Sequence, residues 1–123
     1  MRLIIVDDDE RFVLALEALL ETLPDVEVVG HALDGDAGVA LAARLRPDVV
    51  IMDLEMPRLT GLEATRRIRD ESPESAVVML SGSDVEAHSG DAHAAGAVAY
   101  VRKTTTVTDL PKVLDELRAR RSA

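Results

Sequence analysis

Short, nearly unbroken runs of aliphatic and β-branched residues recur along the chain at Leu3 to Val6, Val26 to Val29, Val49 to Met52, Val77 to Leu80 and Val98 to Val101. A strand with one wet face would alternate apolar and polar residues, whereas these runs suit parallel strands covered on both faces. Five buried strands are expected. Between them lie segments with helical spacing of apolar residues, the clearest being Val13, Leu16, Leu20 and Leu23, and then Leu110, Val113, Leu114 and Leu117. Strand and helix alternating five times predict one open, doubly wound α/β domain over residues 1–123, with a five-stranded parallel sheet and right-handed crossovers.

The helices carry their own punctuation. Asp34 or Asp36 can cap the second, and Thr108 can cap the fifth, which would put Pro111 in the first turn where a missing N–H does no harm. The third, from Leu62 to Asp70, turns Leu62, Thr65 and Ile68 inward and leaves Arg66, Arg67 and Arg69 as a wet face. The fourth, Ser83 to Ala95, holds Ser89-Gly90-Asp91 in its middle. Because an interior Gly costs about 1 kcal/mol relative to Ala, this helix is expected to be the least rigid.

Composition removes several function classes. The net charge of -9 would repel a phosphate backbone, so direct nucleic-acid binding by this chain is not expected. With no cysteine there can be no disulfide, thiolate metal site or cysteine nucleophile. His88 and His93 are five residues apart and His31 lies elsewhere, so no histidine metal site is expected. No apolar stretch is long enough for a membrane span or signal core, and a cytoplasmic protein is expected. With one Phe, one Tyr and no Trp, the core must be aliphatic, Met52 and Met79 included.

In an open α/β sheet the ligand site forms beyond the carboxyl ends of the strands. The residues found there are Asp7, Asp8 and Asp9 after the first run, Asp53 after the third, Ser81 after the fourth, and Arg102 and Lys103 after the fifth. Asp7, Asp8 and Asp53 brought together would repel one another unless a cation sat among them. An all-oxygen set that leaves room for waters and phosphate oxygens favours Mg²⁺ over Ca²⁺. Lys103 adds an ammonium and Ser81 a hydroxyl, completing a phosphoryl-binding set. An aspartate, with a reference pKa of about 4, is an ionised nucleophile without any general base. Alone, the Asp7 to Asp9 run would serve equally as a solvated strand end and helix cap.

The segment Pro47-Asp48-Val49-Val50-Ile51-Met52-Asp53-Leu54-Glu55-Met56-Pro57, followed by Thr60-Gly61-Leu62-Glu63, closely resembles the receiver domain of bacterial two-component response regulators. The resemblance extends to Ile5-Val6-Asp7-Asp8, Asp34-Gly35, Leu80-Ser81-Gly82 and Ala99-Tyr100-Val101-Arg102-Lys103, covering nearly the whole chain in order. It implies a flavodoxin-like (βα)5 fold with strand order 2-1-3-4-5. It also implies Asp53 as phosphoacceptor, Asp8 as a direct Mg²⁺ ligand, Asp7 as a ligand through water, and Glu55 as donor of its backbone carbonyl. Ser81 and Lys103 would bind the phosphoryl group, and Tyr100 would move with Ser81 as the switch. Asp9 matches no role in the pattern and reads as a surface or capping residue.

By the resemblance the phosphoryl donor is a sensor histidine kinase, and the surface that changes is that of the fourth helix, fifth strand and fifth helix. The chain would be either the receiver part of a transcriptional regulator or a stand-alone receiver. A phosphorylation-dependent homodimer is compatible with either. A phosphatase or phosphotransferase with an Asp53 nucleophile is the competing class, but no second acid or base stands beside Asp53 to activate water. Flavin binding on the same architecture lacks a phosphate-cradling loop after the first strand and the aromatics to flank a ring. Members of the family often have proline after the lysine, where this chain has Thr104. Either the loop takes a different path, or tertiary contacts hold a cis bond that costs roughly 3 kcal/mol.

Overall fold

The computed structural model describes residues 1–82 and 85–122, with the backbone alone for residues 85–89 and 122. Strands β1 (Arg2–Val6), β2 (Glu27–Ala32), β3 (Val49–Asp53), β4 (Ala76–Ser81) and β5 (Ala99–Arg102) alternate with helices α1 (Glu10–Glu21), α2 (Gly35–Leu45), α3 (Gly61–Glu71), α4 (Val85–Ala95) and α5 (Thr106–Ser122). All strand pairs are parallel, in the order β2-β1-β3-β4-β5. This is the doubly wound topology expected from the sequence.

Because side chains along a strand point alternately to the two faces, each aliphatic run feeds two cores. Ile4, Val6, Val50, Met52, Val77 and Met79 pack with residues of α2, α3 and α4. Leu3, Ile5, Val49, Ile51, Val78 and Leu80 pack with Val13, Leu16 and Leu20 of α1 and with Leu110, Leu114 and Leu117 of α5. The central strands are therefore apolar along their length, with polar residues only at their ends: Arg2, Asp53 and Ser81. Met52 and Met79 are fully buried, as expected.

Several expectations need correction. The second run does not make a buried strand: β2 extends to Ala32, pairs only with β1, and buries only Ala32 along its length. As an edge strand it has one neighbour instead of two, and its register slips between Leu3 and Ile4, so that Leu3 pairs with Val28 and Ile4 with Gly30. On α3 the inward face is as expected, with Thr65 and Ile68 buried and Leu62 half-buried against the core, and Ala64 joins it. Ser83, where α4 was expected to start, lies outside the described residues, as do the side chains of His88 and Ser89; the expectation of low rigidity falls partly on them.

The fifth helix starts earlier than its candidate cap. A 3-10 turn at Lys103–Thr105 runs directly into α5 at Thr106, whose hydroxyl donates to the carbonyls of Arg102 and Lys103 at 3.2 and 2.8 Å. Thr108 is thus inside the helix and Pro111 sits beyond its first turn. A proline there has no N–H for the carbonyl of Val107, four residues back; Val107 is exposed, and water can take that role. Every described peptide bond is trans, so the Lys103-Thr104 loop turns through the 3-10 geometry instead of a cis bond. At its far end α5 is tied down by Arg118, which donates to the Pro24 carbonyl at 3.0 Å, and by Arg121, 2.6 Å from Asp48.

Candidate functional site

The three aspartates after β1 do three different things. Asp7 is buried at the strand end, and its Oδ1 accepts from the Asp9 N–H at 2.9 Å. Asp8 is exposed. Asp9 caps α1, accepting from the N–H groups of Arg11 and Phe12 at 3.0 and 3.4 Å, which fixes the first helical turn where the dipole favours an anion. Asp34, not Asp36, caps α2, accepting from Ala37 N–H at 2.8 Å; Asp36 instead pairs with Arg67 at 3.3 Å.

Asp53 ends the central strand β3 and is only 3% exposed. Its carboxylate stands beside those of Asp7 and Asp8, each offering one oxygen within 4.8 Å of the others. Such a cluster can hold a metal ion, and its all-carboxylate chemistry suits a hard divalent cation. Into it reaches Lys103, whose Nζ lies 2.8 Å from Asp7 Oδ2 and 3.4 Å from Asp53 Oδ1. Lys103 comes from the turn after β5, and the parallel order brings its end of that strand to the same edge as Asp7 and Asp53. The site thus pairs two buried carboxylates with one ammonium.

That imbalance shows in the proton affinities. Burial, and then the Asp7 charge, push the Asp53 carboxyl up to about 7, against the opposing pull of Lys103 and of the Glu55 N–H that donates to Asp53 Oδ1 at 3.2 Å. For Lys103 burial works downward, but the hydrogen bond and charge of Asp7 together with Asp53 outweigh it and hold the ammonium above its ordinary range. A divalent cation among the carboxylates would act on Asp53 in the same direction as Lys103, favouring the ionised form.

Ser81, fully buried at the end of β4, donates to the Glu55 carboxylate at 2.9 Å. Tyr100 lies on β5, packed against the core on the α2, α3 and α4 side; its hydroxyl is buried and has no hydrogen-bond partner among the described residues. His31 and His93 are on the surface.

Three features were missed in the sequence reading. The Glu55 side chain engages Ser81, although only its carbonyl was given a role. Gly61 opens α3 against β3 so closely that a Cβ there would fall 2.2 Å from the Asp53 carbonyl oxygen and 2.7 Å from Leu54 Cα, which only glycine tolerates. Finally, the ring centroid of Phe12 lies 4.5 Å from Lys103 Nζ. No local sequence signal marks these, since each is a contact between separate elements. Thr60 was quoted only as part of a motif, yet with Glu63 it forms a capping box that sets the start of α3.

A parallel doubly wound sheet with two buried aspartates, an exposed third and a lysine at its carboxyl edge defines a class: α/β domains with an acidic site able to hold a divalent cation. Comparison with known proteins specifies the family. A family model described as the response regulator receiver domain matches residues 3–115. The chain is 37% identical over 119 residues to the transcriptional regulatory protein LiaR of Bacillus subtilis, covering 97% of this chain and 55% of that protein. It is 48% identical over 86 residues to protein-glutamate methylesterase/protein-glutamine glutaminase 4 of Geobacter metallireducens, covering 70% of this chain and 25% of that protein. Among solved structures, a LuxR-family two-component response regulator from Aurantimonas sp. SI85-9A1 superposes with a TM-score of 0.90 at 30% identity, covering 96% of this chain and 84% of that one. The response regulator domain of Thermotoga maritima CheB gives 0.85 at 30% identity, covering 100% and 97%. The chain belongs to the receiver-domain family of response regulators, phosphorylation-activated signalling switches. It spans about half of the first of these curated relatives and a quarter of the second. Among the described residues no helix is long and apolar enough to cross a membrane.

Proposed function

We propose that Asp53 accepts a phosphoryl group from a sensor histidine kinase and that residues 1–123 act as one receiver switch around it. The observation that supports this most is the buried Asp53 carboxylate at the end of the central strand, flanked by Asp7 and Asp8 within 4.8 Å and by Lys103. Asp7, Asp8, Asp53 and the backbone carbonyl of Glu55 would hold Mg²⁺. When bound, the ion neutralises charge on the carboxylates and on the phosphoryl oxygens.

In the transfer, an Asp53 oxygen forms the bond to phosphorus as the P–N bond of the donor phosphohistidine breaks; the ring nitrogen keeps the electron pair and takes a proton from solvent. The nucleophile needs no base, so charge neutralisation and in-line placement are what the protein contributes. Lys103 offers its ammonium to the phosphoryl oxygens. Ser81 exchanges its bond to Glu55 for one to the phosphoryl group, and Tyr100, a buried hydroxyl with no described partner, follows into the space Ser81 leaves. The α4, β5 and α5 surface then changes for whatever reads it, in the cytoplasm, as the receiver part of a transcriptional regulator or as a stand-alone receiver. Pairing of two phosphorylated copies through that surface fits the same scheme. Among the described residues the carboxylates beside Asp53 are Asp7 and Asp8, both assigned to the metal, so the chain is read as a phosphoacceptor that turns over only its own phosphate, with no nucleic-acid or membrane partner of its own.

Incubation with Mg²⁺ and a small phosphodonor such as phosphoramidate, followed by intact-mass measurement, should add one phosphate to the wild type and none to Asp53→Ala. Equal labelling of both would refute the assignment.

A further inference from the structure

Lys103 is held by more than its two carboxylates. Its ammonium sits over the face of Phe12, 4.5 Å from the ring centroid, well inside the roughly 6 Å range over which a ring quadrupole attracts a cation. Phe12 is the only phenylalanine of the chain. Its ring packs against the core on the α1 and α5 side, and its N–H is one of the two that Asp9 caps. The third aspartate of the run therefore fixes the turn that presents the ring, while its own N–H donates to Asp7.

We infer that Phe12 is a positioning residue for Lys103: its ring keeps the ammonium at the mouth of the acidic site when Asp7 and Asp53 turn to other partners. This rests on the assignment of Asp53 as phosphoacceptor. The physical reason is competition. A divalent cation among Asp7, Asp8 and Asp53 would take up the carboxylate charge that draws Lys103 inward, and an Asp53 acyl phosphate leaves Asp7 as the only carboxylate of its original pair. A third acidic partner would bind the ammonium and compete with the phosphoryl group for it. A neutral ring attracts the cation from one side, leaves its N–H donors free to point at phosphoryl oxygens, and excludes water from that side.

Because the chain has a single phenylalanine, biosynthetic replacement of phenylalanine by its mono-, di- and trifluorinated analogues alters only position 12, weakening the quadrupole with little change in shape. The rate of Asp53 phosphorylation by phosphoramidate at fixed Mg²⁺ should fall with each fluorine, by roughly three- to fivefold in total. In Lys103→Met the slow residual rate should not respond to fluorination. A flat series in the wild-type sequence, or the same slope in Lys103→Met, overturns the inference, since packing alone would give either. If phosphate is also incorporated by Asp53→Asn, the phosphoacceptor assignment fails and this inference with it. Labelling confined to Asp53 with a flat series retires the role of Phe12 alone.

Discussion

Lys103 bridges two carboxylates that stand at the ends of different strands, with its Nζ 2.8 Å from Asp7 Oδ2 and 3.4 Å from Asp53 Oδ1. Both carboxylates are buried, so in the metal-free protein this ammonium is their main counter-charge. Removing one partner of a buried pair is costly because it leaves the other charge uncompensated. Lys103→Met is therefore expected to lower stability in chelator by about 1–3 kcal/mol, and Mg²⁺ should restore more stability to the variant than to wild type. Urea unfolding with EDTA and with Mg²⁺ checks this; a variant as stable as wild type in EDTA would show that the bridge carries little weight.

The Asp53 carboxyl is raised to about 7 in the folded chain against 3.8 when unperturbed. Between those values the native state binds more protons than the unfolded one, so this group makes stability fall as pH rises from about 4 to about 7. Asp53→Asn removes that slope. In chelator the variant should gain on wild type with rising pH, by on the order of 2–4 kcal/mol at pH 8 relative to pH 4. Paired melting curves across this range test it, and a constant difference would mean that Asp53 is ionised throughout.

Metal binding should be read directly as stability. An ion that binds only the native state adds RT ln(1 + [L]/Kd), so wild type should melt at a higher temperature as Mg²⁺ is titrated. Asp8→Ala, which removes the exposed member of the triad, should blunt the response with little cost in chelator. An Asp8→Ala titration that overlays wild type would exclude that carboxylate from the site.

Two glycine-to-alanine changes should move stability in opposite directions. At Gly61 a Cβ would strike the backbone of Asp53 and Leu54, so Gly61→Ala should destabilise by about 1–3 kcal/mol and slow phosphorylation by displacing Asp53. At Gly90, inside α4, a Cβ meets nothing within 4 Å. There alanine should stabilise by about 0.5–1 kcal/mol. Denaturant midpoints of the two variants settle the comparison; matching signs would contradict the packing.

Much of the fold was legible because the aliphatic runs, with no polar alternation, dictate burial on both faces, and strands of that kind alternating with helices leave few topologies. The β2 reading failed for a related reason. Val26 to Val29 looks like the other runs, and only the strand order makes it an edge. The start of α5 was misplaced because Thr105, Thr106 and Thr108 are equally good local caps, and the choice is made by Thr106 reaching back to Arg102 and Lys103.

The sequence by itself determined which residues gather at the carboxyl edge: a strand's last residue is set by where its apolar run stops, and Asp7, Asp53, Ser81 and Lys103 all follow such stops. Only the tertiary structure decided how they are paired. Lys103 lies between Asp7 and Asp53 and over Phe12, Glu55 takes the Ser81 hydroxyl, and Gly61 backs Asp53, because each contact joins side chains or backbone from elements far apart in the chain. Local sequence encodes propensity and burial, but the distance between two such groups exists only once the sheet has brought its strand ends together.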